Sequence, residues 1–144
     1  MVSKLTLALR LARRLPEDAP LLAELREDKT IRRTLDAHDV LVAAARERRI
    51  VTVADLSAAV KLPLTGTAQA ANAKQIATIL AALTTYDFEE ACPLLAALVR
   101  RKAGKRPPPA FFALVDDLGM LASYDDEDAF LEDETARVHR AWAA

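Results

Sequence analysis

VTVADLSAAVKLPLTGTAQAANAKQIATILAAL, residues 51–83, is the stretch that decides the fold class. Thr52-Val53-Ala54-Asp55 opens it like a capping box with Asp in place of the usual Glu. Leu56, Ala59 and Val60 then share one face, and Pro63 closes the helix. After the loop Pro63-Leu64-Thr65-Gly66-Thr67, Ile76, Ile79, Leu80 and Leu83 recur at i, i+3, i+4 and i+7, the period of an amphipathic helix. Two helices joined by a short Pro/Gly loop have the outline of a helix-turn-helix.

Outward from this unit the helical pattern continues on both sides. Residues 3–15 predict a helix stopped by Pro16, and a short second helix is expected from Glu17 and Asp18, whose carboxylates suit a helix N-terminus. Thr30 is the expected cap of a longer helix in which Ile31, Leu35, Val42 and Ala45 align, ending at the charged run Arg46-Glu47-Arg48-Arg49. Residues 1–50 thus form an N-terminal helical layer. The opening MVSKLTLALRLARR reads as its first helix rather than a leader, because Arg10 interrupts the apolar run and no small-residue cleavage site follows.

C-terminal to the unit, Pro93–Val99 is a short apolar run for which a buried strand is favoured over a helix. A basic turn, Arg100 to Arg106, follows. Pro107-Pro108-Pro109 must be extended, and the last proline can start a helix carrying Phe111, Phe112, Leu114, Val115 and Leu118 up to Gly119. A final helix entered through Asp125, Asp126, Glu127 and Asp128 aligns Leu131, Thr135, Val138 and Trp142.

Composition agrees with this pattern. Thirty alanines and 22 leucines against seven aromatic residues favour helices over sheet. A length of 144 residues suits one compact domain, 1–144, with residues 51–144 forming a winged-helix-like part; the fold class is mainly α with at most a very small β element. No run approaches the 18 or more apolar residues of a membrane span. One cysteine, Cys92, rules out an internal disulfide and fits a soluble protein of a reducing, cytoplasmic compartment.

Catalytic patterns are missing from the sequence. Three glycines leave no phosphate-binding loop, two histidines with one thiol make no zinc cluster, and no Ser-His-Asp order has plausible flanks. His38 and His139 stand among charged neighbours and are expected to be solvated. No enzyme activity, metal or cofactor is therefore expected.

Charge is the more informative signal. The net charge of −1 conceals balances of +2 for residues 1–60 (11 basic, 9 acidic), +4 for 61–110 (7 and 3) and −7 for 111–144 (2 and 9). Arg100, Arg101, Lys102, Lys105 and Arg106, with Lys74 on the preceding helix, are the candidate nucleic-acid-binding residues, since a wing of cations beside a helix-turn-helix would meet phosphates. Gln69, Asn72, Gln75 and Thr78 could add hydrogen bonds, but Lys74 is the only cation between residues 62 and 99, so weak, phosphate-led binding is expected rather than base readout. The acidic residues 125–128 and 132–134 suit a helix N-terminus and its solvent face, or a surface that clasps a basic protein.

Four segments, TVADLSAAV, PLLAALVRRKAG, PPPAFFALVDDLG and AFLEDETARVHRAW, together resemble a family of small, uncharacterised bacterial proteins over residues 51–142. That family's arginine before the proline, small polar residue at Ala96 and glycines at Pro108 and Ala110 are replaced here. The resemblance implies no activity. A more distant likeness is to the winged-helix DNA-binding domain of DNA alkyltransferases and alkyltransferase-like proteins; their Pro-Cys-His-Arg signature is replaced by Ala91-Cys92-Pro93-Leu94, so no histidine would activate the thiol. The expected function is a non-enzymatic binding module that associates with the nucleic acid backbone through the basic turn. The alternative is an immunity or antitoxin-like protein that binds a protein partner with its acidic C-terminal surface.

Overall fold

The computed structural model describes residues 2–101 and 106–143. In chain order its elements are α1 (Val2–Arg14), α2 (Pro20–Leu25), α3 (Lys29–Arg46), β1 (Val51–Thr52), α4 (Val53–Ala59), α5 (Gln69–Glu89), β2 (Val99–Arg100), α6 (Pro109–Asp117) and α7 (Glu127–Trp142). A single 3-10 turn, Leu95–Leu98, leads into β2. The fold is mainly α, and its sheet is minimal: β1 and β2 pair in parallel, Val51 opposite Val99 and Thr52 opposite Arg100.

Local chemistry explains most boundaries. The Thr52 side chain accepts from the Asp55 amide at 3.1 Å and caps α4 as the sequence predicts. Asp126 likewise caps α7 through the Ala129 amide at 2.7 Å. Pro109 starts α6, and Gly119, at φ 78°, turns the chain in the left-handed region just beyond its end.

Three expectations are corrected. The second helix begins at Pro20, not near Glu17 and Asp18, because the fixed φ of proline suits the first helical turn. The cap of α3 is Asp28, whose carboxylate accepts from the Ile31 amide at 3.0 Å, and Thr30 falls inside the helix. The apolar run 93–99 is not a strand but is mostly a 3-10 turn, with only Val99 at its end belonging to β2.

The reason for that last difference lies in packing. The segment 94–99 is wedged between two apolar clusters: Leu95, Leu98 and Val99 join Leu5, Leu41, Ile79 and Leu83, while Leu94, Ala96 and Ala97 join Phe111, Phe112, Val115 and Phe130. A strand would send strictly alternating side chains to the two sides; here Leu95 and Leu98, three apart, go to one cluster and the adjacent pair Ala96 and Ala97 to the other, which a 3-10 turn allows and a strand does not. Helix α5 is the spine of the first cluster and packs against α1 and α3. Helix α7 closes the structure, with Phe130, Leu131 and Val138 buried and Trp142 half-buried against the first cluster. Among the described residues no helix is long and apolar enough to cross a membrane.

Candidate functional site

An irregular backbone buried on both sides must find partners for its amides, and here two buried carboxylates supply them. Glu134 of α7, fully buried, accepts from the Leu94 amide at 2.7 Å and from Arg137 at 2.7 Å. Asp87 near the end of α5, also buried, accepts from the Leu95 amide at 3.0 Å. Burial pushes the Asp87 carboxyl up to about 7, against the lowering effect of its amide bond and of Arg13. Sequence reasoning placed Glu134 in a solvent-facing acidic run and passed over Asp87, because neither side chain has a local partner that marks it as interior.

The basic turn is not a single cationic surface. Arg100 is buried: its guanidinium donates to the carbonyls of Ala97 and Val99 and, at 3.3 Å, to the Thr135 hydroxyl. It therefore holds the end of the 3-10 turn and does not face solvent, contrary to its assignment as a phosphate contact. Arg106 is exposed, but it pairs with Glu127 at 2.5 Å and Asp128 at 3.2 Å and lies 4.6 Å over the Phe112 ring. Those pairs hold its pKa above the usual arginine value. Arg101 and Lys74 are exposed, and Lys102 and Lys105 lie outside the described residues.

The polar residues of α5 are partly used within the chain. The Asn72 amide donates to the Pro63 carbonyl at 2.8 Å and closes the loop before α5. Gln75 accepts from Arg33 at 3.2 Å, and the Thr78 hydroxyl donates to the Lys74 carbonyl. Gln69 is exposed. On the acidic side, Asp126 is a helix cap, Glu127 and Asp128 hold Arg106, Asp133 accepts from the Tyr124 hydroxyl and Glu134 is interior. Neither the basic run nor the acidic run is wholly available to a partner.

What the surface offers instead is a groove of about 600 Å³ between the α4–α5 unit and α6. Ala73, Ala77 and Ala81 lie one turn apart along α5 and face Ala110 and Ala113 of α6, with Ile76, Leu80 and Phe111 as the floor. Small side chains on both walls leave a trough where a third helix would otherwise pack. Arg101 and Asp117 are the charges that border it. A second cavity, of about 690 Å³, opens between α1, α2, α3 and the C-terminal ends of α5 and α7, and contains Arg13, His38, Tyr86, Asp87 and Cys92.

The chain matches no family model, no curated protein and no solved structure. His38, expected to be solvated, is half-buried between the Tyr86 and Trp142 rings, each edge-on at 6.4 Å, and desolvation lowers its pKa. His139 has its Nε2 buried without a hydrogen-bond partner among the described residues. Among the described residues no three of His, Cys, Asp and Glu converge on a site for a metal ion.

The burial of Arg100 carries a prediction. Arg100→Ala should lower stability by about 2 kcal/mol, because it leaves the Ala97 and Val99 carbonyls without their donor and opens a void beside Thr135. Arg101→Ala, at an exposed position, should change it by less than about 0.5 kcal/mol. Urea unfolding of the two variants checks the contrast; equal midpoints would mean that Arg100 is not structural.

Proposed function

We propose that this protein is a non-enzymatic binding module of a reducing, cytoplasmic compartment, and that the groove between α5 and α6 receives an amphipathic helix of a partner protein. The observation that carries this reading is the alanine-walled groove, whose apolar floor is bordered by one cation, Arg101, and one anion, Asp117. An amphipathic helix would lay its apolar face into such a trough, and the two border charges would fix its direction by pairing with charges of opposite sign on the incoming helix. This protein-partner reading takes first place over nucleic acid because two of the described cations of the basic turn, Arg100 and Arg106, are engaged within the chain.

Affinity capture from the protein's own cells, with and without nuclease, tests this against backbone binding. Ala77 is exposed in the groove wall, so Ala77→Trp should fill the groove without unfolding the chain. The expected result is a partner protein retained after nuclease treatment and lost at least about tenfold with Ala77→Trp, as removal of a central apolar contact predicts. A partner that leaves with nuclease and ignores Ala77→Trp would restore the nucleic-acid reading. In that case binding to a random duplex should be visible near 50 mM salt and weaken steeply as salt rises, by roughly one unit of log–log slope per phosphate contacted by Arg101, Lys74, Lys102 and Lys105.

A further inference from the structure

The second cavity lies at the other end of α5 and shares no lining residue with the groove. Its walls are apolar where α1, α2, α3 and α7 meet: Leu9, Leu22, Leu35 and Trp142. Against these walls stands Arg13, whose Nη1 is 3.5 Å from both the Tyr86 hydroxyl and the Cys92 sulfur. Both contacts are long, and these hydrogen bonds, to Cys92 first and then to Tyr86, hold the Arg13 pKa above its usual value.

The other charges of the lining differ from Arg13. Arg26 is already paired with Asp36 at 3.0 Å and reaches Asp39 at 3.9 Å. Among the described residues Arg13 has no carboxylate within ion-pair distance; the acid it influences, Asp87 of the same lining, is buried and engaged with the Leu95 amide, so the guanidinium fork is presented to the cavity without a directly bonded anion. A planar fork of donors beside an apolar chamber is the arrangement that recognises a carboxylate carried on an apolar body. Glu17 and Asp18 line the same cavity and would repel a multiply charged anion.

We propose that this cavity binds a small monocarboxylate with an apolar tail, the carboxylate on Arg13 and the tail against Leu9, Leu22, Leu35 and Trp142. This site is independent of the groove, and either can fail without the other. Trp142, the only tryptophan of the chain, lines the cavity and gives a direct fluorescence readout, and alkylation of Cys92 by iodoacetamide gives a second.

Decanoate is a suitable probe and decanol its uncharged control. Wild-type protein should show saturable change of Trp142 emission with decanoate, slower alkylation of Cys92 in its presence, and binding at least about tenfold weaker for decanol, the range for one charge-assisted hydrogen-bonded pair. Arg13→Gln should remove that preference and bring the two probes to equal affinity, and Arg13→Lys should restore part of it, since the charge returns without the fork. Arg13 is exposed, and a thermal melt of each variant confirms the fold. Equal affinity for decanoate and decanol in the wild type, an undiminished preference in Arg13→Gln, or no saturation with decanoate at millimolar concentration would each overturn the assignment.

Discussion

Replacing Glu134 with alanine is expected to lower the melting temperature by about 10 °C, corresponding to about 3 kcal/mol for a chain of this size. Two losses add. The Leu94 amide, inside the wedge between the two clusters, would lose its acceptor and remain buried and unsatisfied, at about 1–3 kcal/mol. The space of a fully buried side chain would also stand empty beside Leu94 and Val138. Glu134→Gln keeps an acceptor for the amide and nearly the same volume, so it should cost only about 1 kcal/mol. Thermal melts followed by circular dichroism separate the two; an alanine variant that melts within about 2 °C of wild type would show that the carboxylate does not hold the wedge.

The second large effect is a pH dependence centred on Asp87. Its carboxyl titrates near 3.8 when free and is pushed up to about 7 in the folded chain by burial, so the folded state holds a proton that the unfolded state has released. This group's contribution is fully present below about pH 4, declines as pH rises, and is lost above about pH 7, with an upper limit of about 4 kcal/mol. Asp87→Asn should keep an acceptor for the Leu95 amide while abolishing the titration. The variant should match wild type near pH 4 and exceed it in stability near pH 8 by about 2–4 kcal/mol.

Only the difference between variant and wild type isolates Asp87, because other groups act in the opposite sense. Asp28, held below its usual range by its hydrogen bond from Lys4, stabilises above about pH 4 and loses that contribution as pH falls. Half-buried His38, whose pKa is lowered by desolvation, also favours the folded state as pH rises through the usual histidine range. Urea midpoints of both proteins across pH 4–8 give the comparison. Parallel curves would rule out a buried, titrating Asp87.

The two carboxylates also show where the sequence stops being informative. Asp126 and Thr52 cap helices because their side chains reach amides three residues on, and an effect confined to four residues is visible in any window of sequence. Glu134 reaches an amide 40 residues away and Asp87 one that is eight residues away across the end of its helix, and neither leaves a local mark. Arg100 was misjudged for the same reason. In a run with Arg101 and Lys102 it looks like part of a solvated cationic turn, yet its own backbone pairs with β1 and its side chain turns inward to the carbonyls of the 3-10 turn.

By itself the sequence determined the helical class, the start of α4, the limits of α6 and α7, the minimal β content and most of the main apolar stripes, because caps, prolines and 3.6-residue periodicity all act over one or two turns; α4 ends at Ala59, four residues before Pro63, where Lys61 leaves the helix at φ 61°. The tertiary structure alone decided which charges are surface and which are interior, and where hollows remain. The chain turns tightly at 95–98 because two clusters claim its residues out of strict alternation, and the groove exists because alanines on α5 meet alanines on α6. The Arg13 cavity exists because α1, α3, α5 and α7 converge without filling their junction. Each of these depends on residues brought together from distant parts of the chain, and burial, which sets both the charge state of Asp87 and the role of Arg100, is a property of that assembly and not of any segment within it.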